Sequence, residues 1–234
     1  MLNPNRFDLL LKSYCRNSAF EVDQVAGFCK IEKDRFKKLL SFPIYMPEIE
    51  EVQKVIKYLK IPQDLVWQSY FNSVMKNFYH QEEVVMVPYD QYESMVRNNK
   101  KIRPAKQNLP SDEVWIDLKG EKRGLLGFDL ATYFKHSLDY GNQNRPDPSD
   151  TKEVLKFLED RLELKAEQIK PLLKGNIPSS DLLTHLVFRV ATFNQPRLLE
   201  AYLITVIKKL NLNYKIEFMS PGAYEQLLNQ IYAK

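Results

Sequence analysis

The sequence predicts a mainly α-helical protein, in which an N-terminal domain of five helices is followed by an α+β C-terminal domain. Three observations support this prediction. Apolar residues recur at spacings of three and four through the first 80 residues, the period of helices that bury one face. Residues 20–41 fit two short helices joined by a tight turn. Beyond residue 113, runs typical of strands occur among further helical patterns.

The composition is that of a soluble globular protein. The chain has 234 residues, of which 44% are hydrophobic and 27% charged, and its net charge is +4. We predict a helical domain over 1–80, a linker with a short strand, a short helix and a basic run over 81–113, and the α+β domain over 114–234. The N-terminal apolar run contains charges, and no run approaches the roughly 18 residues of a membrane span, so we expect a cytoplasmic protein with no membrane partner.

Five helices are predicted in the N-terminal domain. The first covers 6–16, and the second and third lie within 20–41. A fourth runs from Pro47, which suits a first helical position, to Leu59. The fifth starts at Gln63 and continues to about residue 80 with many large apolar side chains. This extension is expected to be core, although a seam between two copies of the chain would also bury it.

The stretch from Phe20 to Ser41 organises the domain. The first of its two helices buries Val25, Ala26 and Cys29, and the second buries Ile31, Phe36, Leu39 and Leu40. Only Cys29-Lys30-Ile31 is left for the turn, and Glu32 opens the second helix, where a carboxylate suits the positive end of the helix dipole. The outward residues are mostly cationic. A helix with a packed back and a cationic front can enter the major groove of DNA.

Over residues 6–65 this pattern resembles the phage-repressor (Cro-like) helix-turn-helix family. The residues at the buried positions of that family, with its small residue at Ala26, are Phe20, Val25, Ala26, Cys29, Ile31, Phe36 and Leu39. Residues 47–65 resemble its fourth helix and the start of its fifth. The sequence departs from the family at Val22, where a Gln is common. It departs again at Lys30 and Lys60, which replace glycines. Each lysine would need a positive φ or a reshaped turn.

The resemblance implies a sequence-specific DNA-binding transcriptional regulator, encoded by a bacterium or a phage, that reads the major groove with helix 32–41. It implies a homodimer on double-stranded DNA, with half-sites about one helical turn apart. The C-terminal domain would dimerise, sense a signal or bind a protein partner. The positions that match base-reading residues are Lys33, Asp34 and Lys38. Contacts to phosphates are expected from Lys30, Arg35, Lys37, Ser41 and Lys12.

A basic run follows the helical domain at residues 97–106, RNNKKIRPAK. It has five cations and no acid, so it could be an arm that lies along DNA phosphates or in a minor groove. A solvated linker would have the same composition. The cations are Arg97, Lys100, Lys101, Arg103 and Lys106.

No motif for catalysis, a cofactor or a metal is found. Phosphate-cradling glycine loops and nucleophile elbows are absent from the sequence, and His80, His136 and His185 are far apart. Cys15 and Cys29 fit buried thiols in a reducing compartment. We therefore predict no enzyme, no cofactor and no metal site. The alternative to DNA binding is a protein-interaction module, such as an adaptor or an antitoxin, that keeps the helix-turn-helix scaffold.

The remaining elements are predicted from local patterns. A strand is expected at 84–87 and a hairpin between 114 and 128. A capping signal at Asp150 opens a long helix to about residue 174, where Gly175 is a plausible terminator. Further helices are expected at 129–138, at 180–193, from 194 to about 210 and after Ser220, with a strand at 214–219.

Overall fold

The structure is a computed structural model and describes residues 6–41, 45–78, 83–88, 128–136, 146–190 and 195–219. This part of the chain contains ten helices and one pair of strands, which confirms the prediction of a mainly α-helical protein. The chain divides into two compact units. The first comprises Met1–Met86, Ser179–Leu183 and Ile216–Lys234, and the second comprises Val87–Pro178 and Thr184–Lys215.

The N-terminal part of the first unit contains the five predicted helices. They are α1 (Phe7–Asn17), α2 (Val22–Cys29), α3 (Lys33–Leu39), α4 (Ile49–Leu59) and α5 (Gln63–Phe78). α2 packs against both α3 and α4, while α5 packs against α1 and α4. Each helix buries the apolar side chains that its three- and four-residue spacing puts on one face.

α5 is surrounded on all sides. Residues 66–75 are buried without interruption, which confirms that the extension of this helix is core. Trp67, Tyr70 and Phe71 form an aromatic cluster with ring centroids about 6 Å apart. The buried hydroxyl of Ser73 accepts a hydrogen bond of 2.7 Å from the N–H of Phe7, and so joins α5 to the start of α1.

Two short strands, β1 (Glu83–Pro88) and β2 (Tyr214–Met219), pair in a two-stranded sheet. Strands were predicted at both places. Two side chains of α5 position β1: Asn72 Oδ1 accepts from the N–H of Val84 at 3.0 Å, and Gln68 Nε2 donates to its carbonyl at 2.5 Å. Both backbone groups of the buried Val84 are therefore satisfied by side chains one helical turn apart.

The described residues of the second half of the chain contain five further helices. They are α6 (Leu130–His136), α7 (Thr151–Leu162), α8 (Ala166–Leu173), α9 (Ser180–Arg189) and α10 (Gln195–Lys209). α8 packs against α6 and α7, and α6 packs against α10. The residues of α9 are shared between the two units. The predicted cap at Asp150 is present, since its carboxylate accepts from the N–H groups of Lys152 and Glu153 at the start of α7.

One predicted element is wrong. The single long helix expected over 150–174 is two helices, α7 and α8, because Glu163 adopts a left-handed conformation with φ 53°. The break lets the two helices pack against each other and bury Leu162 and Ile169. Helix-forming residues run through the break, so the helical period alone does not reveal it. Gly175, with φ 72°, follows the second helix as predicted.

Several predictions fall outside the described residues. These are the hairpin within 114–128, the last helix after Ser220 and the basic run at 97–106. The α+β character of the C-terminal domain and the three domain boundaries stay predictions. Among the helices that the structure describes, none combines the length and the apolar character needed to cross a lipid bilayer.

Candidate nucleic-acid interface

The candidate interface depends on the turn between α2 and α3. Lys30 ends α2 in the left-handed conformation, with φ 53° and ψ 41°. Its N–H donates to the carbonyl of Gly27, and the N–H of Ile31 donates to the carbonyl of Ala26, both at 3.1 Å. These two bonds form a Schellman cap. Lys60 adopts the same φ after α4. Lys30 and Lys60, which stand where the phage-repressor family has glycines, therefore both adopt a positive φ.

Replacing Lys30 by glycine is expected to raise the free energy of unfolding by about 0.5–1 kcal/mol. A side chain with a Cβ is strained at positive φ, and glycine removes that strain at some cost in unfolded-state entropy. Lys30→Ala is the control, because it removes the same charge and keeps the Cβ. Urea denaturation of both variants measures the difference. Equal stability of the two would contradict a strained turn.

α3 begins with a side-chain cap and has a buried back. The carboxylate of Glu32 accepts from the N–H groups of Asp34 and Arg35 at 3.2 and 3.0 Å, which satisfies two donors that a helix start leaves without partners. Phe36 and Leu39 are fully buried. Glu32 therefore opens the helix as predicted, and the two apolar residues fix which side of α3 faces solvent.

The solvent side of α3 is mostly cationic. All three residues predicted to read bases are exposed, namely Lys33, Asp34 and Lys38. Lys37 is exposed as well. The ammonium of Lys38 lies 5.1 Å from the centroid of the Tyr45 ring, within range of a cation–π interaction.

Asp23, on α2, is paired with two of these lysines. Its carboxylate lies 3.2 Å from the ammonium of Lys33 and 3.5 Å from that of Lys37. Hydrogen bonding from Lys33 is the main reason that the pKa of Asp23 is lowered. The pairing partly neutralises the cationic face. The helical pattern of the sequence does not predict this pairing, since it depends on how α2 and α3 cross.

Arg35 has a different role from the one predicted for it. Its Nε and Nη2 donate to the two carboxylate oxygens of Glu51 on α4, at 2.6 and 2.7 Å, and Nη2 also donates to the carbonyl of Met46 at 3.3 Å. The hydrogen bonds that Arg35 donates to Glu51 raise the pKa of Arg35. A guanidinium held in this bidentate pair braces α3 against α4, and its Nε and Nη2 groups already have partners within the protein.

The weaker predicted phosphate contacts lie in different settings. Lys12 is paired with Asp8, whose side chain is fully buried, at 3.1 Å. The hydroxyl of Ser41 donates to the carbonyls of Lys37 and Lys38, both at 3.1 Å, and so closes the end of α3. Lys30 is exposed at the turn. The predicted arm, with Arg97, Lys100, Lys101, Arg103 and Lys106, lies outside the described residues.

Titratable groups elsewhere have structural partners. His185 Nε2 lies 2.8 Å from the carbonyl of Leu162. Burial raises the pKa of the Cys29 thiol to about 12, and a nearby Cys15 adds to this, so Cys29 is held as a thiol. Within the described ranges, no group of three or more His, Cys, Asp or Glu side chains is arranged to hold a metal ion.

Comparison with known proteins gives no further assignment. No protein-family model, no curated protein and no solved structure matches this chain. The resemblance to the phage-repressor family therefore rests on the residues of the first unit alone and stays a prediction.

Proposed function

We propose that this protein is a sequence-specific, DNA-binding transcriptional regulator whose helix α3, within residues 32–41, reads the major groove. The observation that supports the proposal most directly is the asymmetry of α3. Phe36 and Leu39 are fully buried, while Lys33, Lys37 and Lys38 are exposed on the other side. A short helix mounted in this way, after a tight turn from α2, can present its side chains to base edges and phosphates.

In this proposal, Lys33 and Lys38 donate to guanine, and Asp34 accepts from cytosine N4. Lys37 contacts phosphate. The chain acts as a cytoplasmic homodimer, because two heads on half-sites about 34 Å apart give a specific operator. Residues 114–234 complete an α+β domain that dimerises, senses a signal or binds a protein partner. No catalytic step belongs to this mechanism.

The proposal is tested by fluorescence anisotropy of mixed-sequence DNA fragments at two salt concentrations. We expect binding that weakens steeply with salt and that falls by about tenfold or more in the Lys33→Ala/Lys38→Ala variant. Lys152→Ala/Lys156→Ala is the matched control, since it removes two exposed lysines from α7 in the second unit. No binding at low salt, or equal losses in the two variants, would refute a DNA-reading role for α3.

A second candidate is a protein-interaction module on the same scaffold. Two observations favour it. Asp23 pairs with two of the α3 lysines. Phe20, which the resemblance wrongly placed at a buried position, and Phe28 are each 45% exposed. They form an edge-to-face pair with centroids 4.9 Å apart on the surface of the first unit. This candidate requires that the salt-dependent DNA binding described above be absent.

A further inference from the structure

A cluster of cations lies at the turn after α2 and along the second half of α4. The ammonium of Lys30 lies 5.2 Å from the centroid of the Tyr58 ring, and that of Lys57 lies 5.3 Å from it. The ammonium of Lys54 donates to the carbonyl of Lys30 at 3.3 Å. Three positive charges from two separate elements therefore converge on one aromatic side chain and one turn.

These cations differ from Lys33 and Lys37 of α3 in having no acidic partner. Lys33 and Lys37 are paired with Asp23. In the part of the chain that the structure describes, no carboxylate lies within the 4.0 Å ion-pair distance of Lys30, Lys54 or Lys57. Like charges held together repel each other, and an anion between them would relieve the repulsion.

The Tyr58 hydroxyl shares this environment. The pKa of this hydroxyl is lowered, mainly by hydrogen bonding from Lys30 and further by the charges of Lys30 and Lys57. A phenol near two ammonium groups can donate its own proton to an anionic oxygen while the lysines supply the charge. Donors of both kinds, on a fixed turn and a helix, suit the several oxygens of a phosphate.

The backbone of Lys30 gives a separate reason to expect a use for its side chain. The residue is held at φ 53°, where glycine would be less strained. A strained residue that keeps a long charged side chain is a candidate for a functional role. From this position the side chain of Lys30 reaches the ring of Tyr58, beside which the ammonium of Lys57 also lies.

We propose that Lys30, Lys54, Lys57 and the Tyr58 hydroxyl form a binding site for a phosphate group. The source of that phosphate is the backbone of the DNA that α3 contacts, and this part of the inference rests on the function proposed above. The site would serve as the electrostatic anchor of the first unit, because its charges are not offset by an acid as those of Lys33 and Lys37 are. It carries no sequence preference, since phosphates are the same at every base pair.

The test uses the full-length chain, the Lys54→Gln/Lys57→Gln variant and Lys152→Gln/Lys156→Gln as the matched control for charge. In the first arm, inorganic pyrophosphate is titrated while the amide NMR signals of Lys30, Lys57 and Tyr58 are followed. We expect these signals to shift, and the affinity to fall about tenfold in the α4 variant and not in the control. In the second arm, the salt dependence of DNA binding is measured. The slope of log K against log salt should become shallower by about 0.9 in the α4 variant, because one phosphate contact is lost.

The two arms separate the site from the function. Pyrophosphate shifts that depend on α4, without any DNA binding by the unaltered chain, would support the phosphate site and overturn the proposed DNA function. Pyrophosphate shifts that depend on α4, together with a salt slope of DNA binding that is the same in the α4 variant, would support a site for a free phosphate compound. They would overturn the proposal that the DNA backbone supplies the phosphate. Absent shifts at these residues, together with an unchanged slope, would overturn the site.

Discussion

Replacing Arg35 by methionine is expected to lower the free energy of unfolding by about 2 kcal/mol. The change removes the bidentate partner of Glu51, whose side chain is only 11% exposed, and so leaves a nearly buried carboxylate without its counter-charge. The loss is smaller than for a fully buried pair because solvent reaches Arg35, which is 27% exposed. Methionine keeps the length of the aliphatic stem, and urea denaturation measures the effect.

A double-mutant cycle with Glu51 separates the pair from its surroundings. Removing both charges in Arg35→Met/Glu51→Met should cost much less than the sum of the single changes, since neither charge is then left alone. Arg35→Lys should lose part of the stability, because an ammonium cannot make the two parallel hydrogen bonds. If the single changes simply add in the double variant, the two side chains do not act as a pair and Arg35 is again available for DNA.

The periodicity of apolar residues was sufficient to find the first five helices. Each of them buries one face, and burial at spacings of three and four is what a helix requires, so Val25, Phe36 and Leu39 lie inside as predicted. The same signal found the buried extension of α5. It did not find the break at Glu163, because a left-handed residue between two helix-forming stretches does not change the spacing of the apolar residues.

The candidate site was harder to predict than the helices that build it. Whether a surface charge is free depends on side chains from other helices, and a single helical pattern does not include them. Arg35 did carry a usable signal, since it stands four residues before the buried Leu39 and so on the edge of the packed face. The pairing of Asp23 with Lys33 and Lys37 had no such signal, because the turn at Lys30 sets it.

Replacing Asp23 by asparagine is expected to strengthen DNA binding. In the free protein its carboxylate holds the ammonium groups of Lys33 and Lys37, so those three groups present a net charge of one to the DNA. Asp23→Asn would release a second positive charge on the same face. One added phosphate contact makes the slope of log K against log salt steeper by about 0.9. If the two proteins bind equally at 1 M salt, Asp23→Asn therefore binds about eightfold more tightly at 0.1 M.

The stability of Asp23→Asn should change by less than about 0.5 kcal/mol, because exposed ion pairs contribute little. Binding and folding are therefore separable in this variant. Glu50→Gln is the matched control, since it removes an equal charge from an exposed position on α4. Anisotropy titrations at several salt concentrations should show the steeper slope for Asp23→Asn alone.

The lowered pKa of Asp23 means that its charge is present at neutral pH and is lost only as pH falls through that lowered value. Binding by the unaltered chain should therefore approach that of Asp23→Asn only in acid. An equal gain in both variants would mean that net charge, and not the release of Lys33 and Lys37, governs the affinity.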